Sequence, residues 1–257
     1  IVLNDGTKNY LTDGTNYSDA TDNEDMKACF FSEGQLVFSG SGYLEVDANC
    51  KAGIRSDDYV RTMPKSNIFV DASSGNGIRG NDAVIVTGGV IKRSVYGGGE
   101  LGTVTTDAVV KVSGGAIGTV GKGGAEFGNV YGGGKGMVDN AGTYALAGVI
   151  KGNADVNISG GTIYHNIYGG GAYGTVGTFS YGGNYNTPNT LTSGGEATVT
   201  VTGGTIGTDG NENGMVFGSS RGDVAVAEDG EDPNNKLAWV YKTKVVIGDE
   251  TKKTDYT

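Results

Sequence analysis

An aliphatic residue, an aromatic residue and three glycines follow one another at Val95–Gly99, Val130–Gly134 and Ile167–Gly171. They return in altered form as Val216-Phe217-Gly218-Ser219-Ser220. Text that recurs along one chain marks a structural unit built repeatedly, and a unit too short to bury its own apolar face must stack on its neighbours. Each step is preceded by the pattern Ala-x-Val-x-Val/Ile-Ser/Thr-Gly-Gly-x-Ile, at 108–117, 154–163 and 197–206, with a shorter relative at 83–91. Its alternation reads as a strand with one face turned inward. The aromatic residues of successive steps are expected to form one ladder.

The double glycines at Gly88, Gly114, Gly160 and Gly203 are 26, 46 and 43 residues apart. The shortest interval already holds every motif element, so the surplus in the others reads as loop. It falls at two corners: 118–127 and 207–214, and 139–152, 177–195 and 225–242. Upstream the period is 24 residues. Phe30, Ile54 and Ile78 align, as do Leu36, Val60 and Val84, and Phe38, Thr62 and Val86. Glycine accounts for 49 of 257 residues and proline for 3, but Val, Ile, Thr and Tyr recur between the glycines. The glycines therefore mark turns between short strands rather than a disordered linker. The expected fold is all-β, a single-stranded right-handed parallel β-helix continuous over 1–257, with coils of the first kind over 1–88 and glycine-aromatic coils with protruding corner loops over 89–257. Open coil ends and a first residue within a strand suggest a piece of a longer protein.

A net charge of -10 with no basic cluster argues against nucleic acid as partner. No run of 18 apolar residues suggests a membrane span. Cys29 and Cys50 are 21 residues apart, three short of the repeat, an offset that favours free thiols over a disulfide.

On the 24-residue grid, Ser32-Glu33-Gly34, Ser56-Asp57-Asp58 and Gly80-Asn81-Asp82 occupy one place on consecutive coils. Carboxylates stacked about 4.8 Å apart repel one another. A hard cation shared by Glu33, Asp57, Asp58, Asn81 and Asp82 would relieve that repulsion with the oxygen ligands Ca²⁺ prefers. The competing reading is a salt-bridge ladder in which Arg55 and Arg79, also one coil apart, neutralise the acids without metal. A second acidic run, Asp19 to Asp25, lacks the spacing of a calcium loop and reads as solvated. Asp107, Asn153 and Glu196 each precede an Ala-x-Val strand and are expected to accept backbone N–H bonds.

The corner loops carry Tyr144, Phe179, Tyr181, Tyr185, Trp239 and Tyr241 among amides such as Asn184 and Asn186, a mixture suited to stacking on sugar rings. Tyr144, Tyr181, Tyr185, Trp239 and Tyr241, with the cations Arg55 and Arg79, form the expected carbohydrate-binding set. Arg221-Gly222-Asp223 falls where Leu101-Gly102-Thr103 and Tyr173-Gly174-Thr175 fall in other coils, which makes it part of the repeat. His165 is the one histidine, and no nucleophile motif accompanies it.

Residues 1–14, with Phe31-Ser-Glu-Gly34, Gly53-Ile-Arg-Ser-Asp-Asp58 and Asn76-Gly-Ile-Arg-Gly-Asn-Asp82, resemble a bacterial family of carbohydrate-binding β-helix proteins of the cell surface. That family is pectate-lyase-like and of the clostridial type, and the likeness covers about residues 1–90. Residues 89–257 resemble glycine-rich, adhesin-like repeats. The first resemblance implies a secreted or cell-surface, calcium-binding, non-catalytic protein that takes acidic polysaccharides. Where the family carries Lys, this chain has Glu33, Asp57 and Asn81, so a polyanion would need calcium as a bridge. The alternatives are an adhesin or filament subunit, associating end to end or with other surface proteins, and a polysaccharide lyase with Arg55 or Arg79 as base.

Overall fold

The computed structural model describes residues 1–17, 28–72, 77–80, 83–122, 126–137, 146–181, 188–207, 213–222 and 238–248, the side chains of 181, 188 and 189 excepted. Among them every regular element is a strand. The first nine are short: β1 (Val2–Leu3), β2 (Lys8–Thr12), β3 (Ala28–Ser32), β4 (Leu36–Gly40), β5 (Tyr43–Ala48), β6 (Ala52–Ser56), β7 (Tyr59–Thr62), β8 (Asn67–Ala72) and β9 (Ile78–Gly80). Long and two-residue strands then alternate as β10 (Ala83–Ile91), β11 (Val95–Tyr96), β12 (Ala108–Ile117), β13 (Val130–Tyr131), β14 (Ala154–Ile163) and β15 (Ile167–Tyr168). The chain continues through β16 (Thr178–Tyr181), β17 (Pro188–Ser193), β18 (Glu196–Ile206), β19 (Val216–Phe217) and β20 (Lys242–Ile247).

Three parallel sheets collect these strands in turn, with orders β1-β4-β7-β10-β12-β14-β18-β20, β3-β6-β9-β11-β13-β15-β19 and β2-β5-β8. The antiparallel hairpin β16–β17 stands apart from them. The 24-residue grid is the pairing register itself: Phe30 pairs with Ile54 and Ile54 with Ile78, Leu36 with Val60 and Val60 with Val84, Phe38 with Thr62 and Thr62 with Val86. In the second half Ala108, Ala154 and Ala197 pair in sequence, as do Val110, Val156 and Val199. The Leu, Val and Ile of these columns make one apolar core from Leu3 to Val201, with Phe30 partly buried against it, while Ala108 and Ala154 join a second cluster with Val104, Ile150 and Val176. Each such aliphatic side chain contributes about 1.5–3 kcal/mol by leaving water.

The long strands turn a corner at their double glycines. Gly115, Gly161 and Gly204 adopt φ of 82°, 88° and 99°, a region closed to most L residues, and the ladder bulges there. Past the bend, β10 lies over β8, with Gly89 against the backbone of Ser66 and Ile68. At another corner Val104, Ile150, Val176 and Val240 bridge in succession.

Polar side chains also step from rung to rung. Buried Ser94, Asn129 and Asn166 accept the backbone N–H of Asn129, Asn166 and Met215 at 3.1, 3.2 and 3.0 Å. At the surface Asp107 accepts the N–H of Asn153 at 2.7 Å and Asn153 that of Glu196 at 3.1 Å, the backbone-accepting role expected of those two, while the Glu196 carboxylate meets Lys242 at 3.3 Å. Each link satisfies an amide that the short strands leave over. The expected aromatic ladder is present: Tyr96, Tyr131, Tyr168 and Phe217 stack at 4.8, 4.9 and 4.9 Å with ring planes 5–11° apart.

Candidate functional site

The three-stranded sheet β2-β5-β8 carries a surface where rings, acids and amides meet. Along β5, Leu44, Val46 and Ala48 point into the core, so alternation turns Tyr43, Glu45 and Asp47 outward. The register places Lys8 and Asn67 beside Tyr43, Tyr10 and Phe69 beside Glu45, and Thr12 and Asp71 beside Asp47. The outer face is therefore a grid of rings and acids rather than a uniform polar surface.

The rings form a zigzag row. Tyr10 and Tyr43 have centroids 6.0 Å apart with planes tilted by 58°, and Tyr43 and Phe69 are 5.0 Å apart with a 42° tilt. Tyr10 is 62% exposed and the other two are half-buried, and Lys92 Nζ lies 5.9 Å from the Phe69 centroid. The Tyr43 hydroxyl donates to the Glu45 carboxylate, and that bond pushes the phenol up to about 12. The ring is thus fixed upright on the sheet and stays neutral at any physiological pH.

At the end of the row lies an open cleft of about 510 Å³ lined by Thr12, Asp47, Ala48, Asn49, Asp71 and Arg93. Its rim is held by Asn49, whose side-chain amide donates to the Asp13 carbonyl at 3.0 Å. Its far wall belongs to an ionic chain. Asp71 meets Lys92 at 3.8 Å and Arg93 at 3.7 Å, Arg93 meets Glu126 at 2.7 Å, Glu126 meets Lys135 at 3.2 Å, and Lys135 meets Glu100 at 2.8 Å. Burial alone would raise the Glu126 carboxyl, but the charges of Lys135 and Arg93 overcome it and hold the group below its ordinary 4.5. Burial likewise opposes the Lys135 charge, and Glu100 and Glu126 more than restore it, raising that ammonium. Arg93 also covers Phe127 at 4.7 Å. Of this ionic chain Asp71 and Arg93 line the cleft itself.

The residues singled out from sequence fall elsewhere. Arg55 and Arg79 are each only 6% exposed, which leaves little guanidinium surface to offer a sugar. Arg55 Nη2 contacts Asp57 Oδ1 at 3.0 Å and stacks at 5.6 Å over Phe31, and the Arg79 guanidinium lies against Gly99 and Gly102. Around the same corner the Asp57 N–H donates to the Ser32 carbonyl at 3.0 Å and the Asp58 N–H to Ser56 Oγ at 3.0 Å. Glu33 is exposed. Asn81 and Asp82 lie outside the described residues. Among the described residues no three His, Cys, Asp or Glu side chains gather as a metal site. At this corner the Arg55 guanidinium stands at one oxygen of Asp57.

Tyr144, Tyr185 and the acidic run 19–25 also lie outside the described residues, as does the side chain of Tyr181. Trp239 is half-buried and Tyr241 is 67% exposed. Tyr241 borders the hairpin, its Cβ and Leu191 both lying over Gly195. This is a second aromatic corner, without a described cleft. Cys29 and Cys50 are free thiols; burial first, then Asp13 and Asp47, push Cys29 up to about 11. His165 is lowered by burial, and its backbone serves the ladder, receiving the Gly214 N–H at 3.1 Å.

Sequence reasoning missed the Tyr10–Tyr43–Phe69 row. The signal was the outward half of the 24-residue alternation, where Tyr43 faces Asn67 and Glu45 faces Phe69. Unlike residues share those columns, so a search for matching text passes over them.

Among known proteins, residues 1–228 match the model of one family, described as carbohydrate-binding domain-containing protein. Searches of curated proteins and of solved structures gave no match. No helix of the described residues is long and apolar enough to cross a membrane.

Proposed function

Because the chain belongs to the family of carbohydrate-binding domain-containing proteins, we propose that it holds a glycan chain on the outer face of β2-β5-β8, with the end of the chain in the adjoining cleft. The observation that carries this reading is the row of exposed Tyr10 and half-buried Tyr43 and Phe69 on the outer face of the sheet, beside Glu45, Asp47, Asn49 and Asp71. Rings offer apolar area at low entropic cost, and fixed carboxylates and amides accept or donate to hydroxyls without rearranging.

The finer parts of the proposal are these. The three sheets are the sides of one right-handed parallel β-helix whose successive rungs set the spacing of the binding grid. The protein acts by binding, without catalysis, a reading supported by the carbohydrate-binding description of its family. The setting is secreted or cell-surface, where glycan polymers are met, and protease sensitivity on intact cells would test it. Calcium at the Asp58 corner is a separate proposal. It would draw on Glu33, Asp57, Asp58, Asn81 and Asp82, and it is tested by melting with excess Ca²⁺ and then with chelator.

A screen on a broad glycan array tests the main reading, followed by the variants Tyr43→Ala and Trp239→Ala on whichever glycan binds. Loss of binding with Tyr43→Ala and retention with Trp239→Ala supports the sheet face. The reverse pattern moves the site to the hairpin corner, and an array without a single ligand removes the reading.

A further inference from the structure

Resting on that reading, we infer that the face selects glycans of neutral hexoses taken as single soluble chains, and discriminates against uronate polymers. Two features carry this. The first is charge. Asp71 is compensated by Lys92 and Arg93, whereas neither Glu45 nor Asp47 forms an ion pair among the described residues. Both point outward beside the rings, and Asp47 lines the cleft. A uronate chain lying on the row would bring its own carboxylates against these two, and the net charge of -10 adds a repulsive field. Of the cations nearby, Arg93 is committed to Glu126 at 2.7 Å, Lys135 to Glu100 at 2.8 Å and Lys92 to Asp71 at 3.8 Å, which leaves exposed Lys8, beside Tyr43 at the end of β2 away from the cleft. The acids that remain accept hydroxyl hydrogens, which a neutral sugar supplies in number.

The second feature is shape. Ring planes tilted by 58° and 42° cannot lie together against the flat surface of a crystalline polysaccharide. They fit a chain that turns from one sugar to the next. The centroid steps of 6.0 and 5.0 Å bring one ring to each sugar. The tilt is built in, because Tyr10 and Phe69 flank Glu45 while Tyr43 rises two residues earlier on β5.

Titration calorimetry of the full chain with neutral hexose oligosaccharides, oligogalacturonate and amino-sugar oligomers of equal length tests this, at low salt and at about 1 M salt, where the Debye length shrinks to ~3 Å. The expected result is binding of a neutral oligosaccharide that salt leaves unchanged. Oligogalacturonate should bind about tenfold more weakly at low salt and recover at high salt or in Asp47→Asn. Oligogalacturonate bound as tightly as the neutral chain at low salt, or an amino-sugar oligomer bound tighter with a steep salt dependence, overturns the selectivity while leaving the glycan face standing if Tyr43→Ala abolishes the binding. If Tyr43→Ala and Phe69→Ala, shown folded by circular dichroism, change no affinity, the glycan face itself is wrong.

Discussion

Two rows of rings cross the rungs of this molecule, an inner one buried in a cluster of its own save for Phe217, which is 38% exposed, and an outer one on the surface of β2-β5-β8. The inner row, Tyr96, Tyr131, Tyr168 and Phe217, keeps its planes within 11° of parallel at 4.8–4.9 Å. The outer row, Tyr10, Tyr43 and Phe69, opens to 5.0–6.0 Å with tilts of 42–58°. The inner rings belong to the glycine-rich half, where the rung spacing dictates the stacking. The outer rings belong to the 24-residue half, where aliphatic columns such as Leu44–Ile68 and Val46–Val70 already fill the core. The same residue types therefore hold the fold in one half and are free to meet a ligand in the other.

The comparison is broken most easily at its centre. Tyr131 is fully buried, and Tyr131→Ala should cost about 3–5 kcal/mol in urea unfolding. Tyr43→Ala should cost below about 1 kcal/mol, as a surface change does. Equal losses would mean that the outer row is packing after all.

The glycines sharpen the same contrast. A Cβ at Gly132 would fall on the Gly169 carbonyl oxygen of the next rung and within 2.9 Å of Val156, while one at Gly34 meets nothing within 4 Å. Gly132→Ala should destabilise by about 3 kcal/mol and Gly34→Ala by no more than about 0.5 kcal/mol, read from denaturant midpoints.

The polar ladders come next. Asn129→Ala removes the acceptor of the buried Asn166 N–H, with an expected loss of about 1–3 kcal/mol and faster hydrogen exchange at Asn166. Asn153→Ala, at the surface ladder, should lose less than about 1 kcal/mol.

The smallest effect is ionic. The folded Glu126 carboxyl lies below its ordinary 4.5, so its ionised form contributes stability above that value and loses it as pH falls through the folded pKa. The stability gap between the protein and Glu126→Gln, measured by urea melts from pH 7 downward, should narrow through the acid range. Its half-exposed position keeps the gap small. A gap that widens on acidification contradicts the ionic chain.

The inward half of this protein was open to reading from sequence. Phe30–Ile54–Ile78 and the Ala-x-Val strands matched because each rung imposes the same volume on the next, and the Tyr ladder followed from one text returning beside glycines that a rung above demands. The outward half was closed to the same method. At Tyr43 and Asn67, or Glu45 and Phe69, the register pairs unlike residues, so these columns show no repetition in the sequence. Arg55 and Arg79 repeat for an inward reason too, since both are buried at the corner where the acids were expected to gather.

Hydroxyl-radical footprinting with and without the best glycan found on the array tests the central claim most directly. Protection of Tyr10, Tyr43 and Phe69, with Trp239 and Tyr241 unchanged, is the result predicted. Protection at Trp239 and Tyr241 with the sheet face untouched would contradict it.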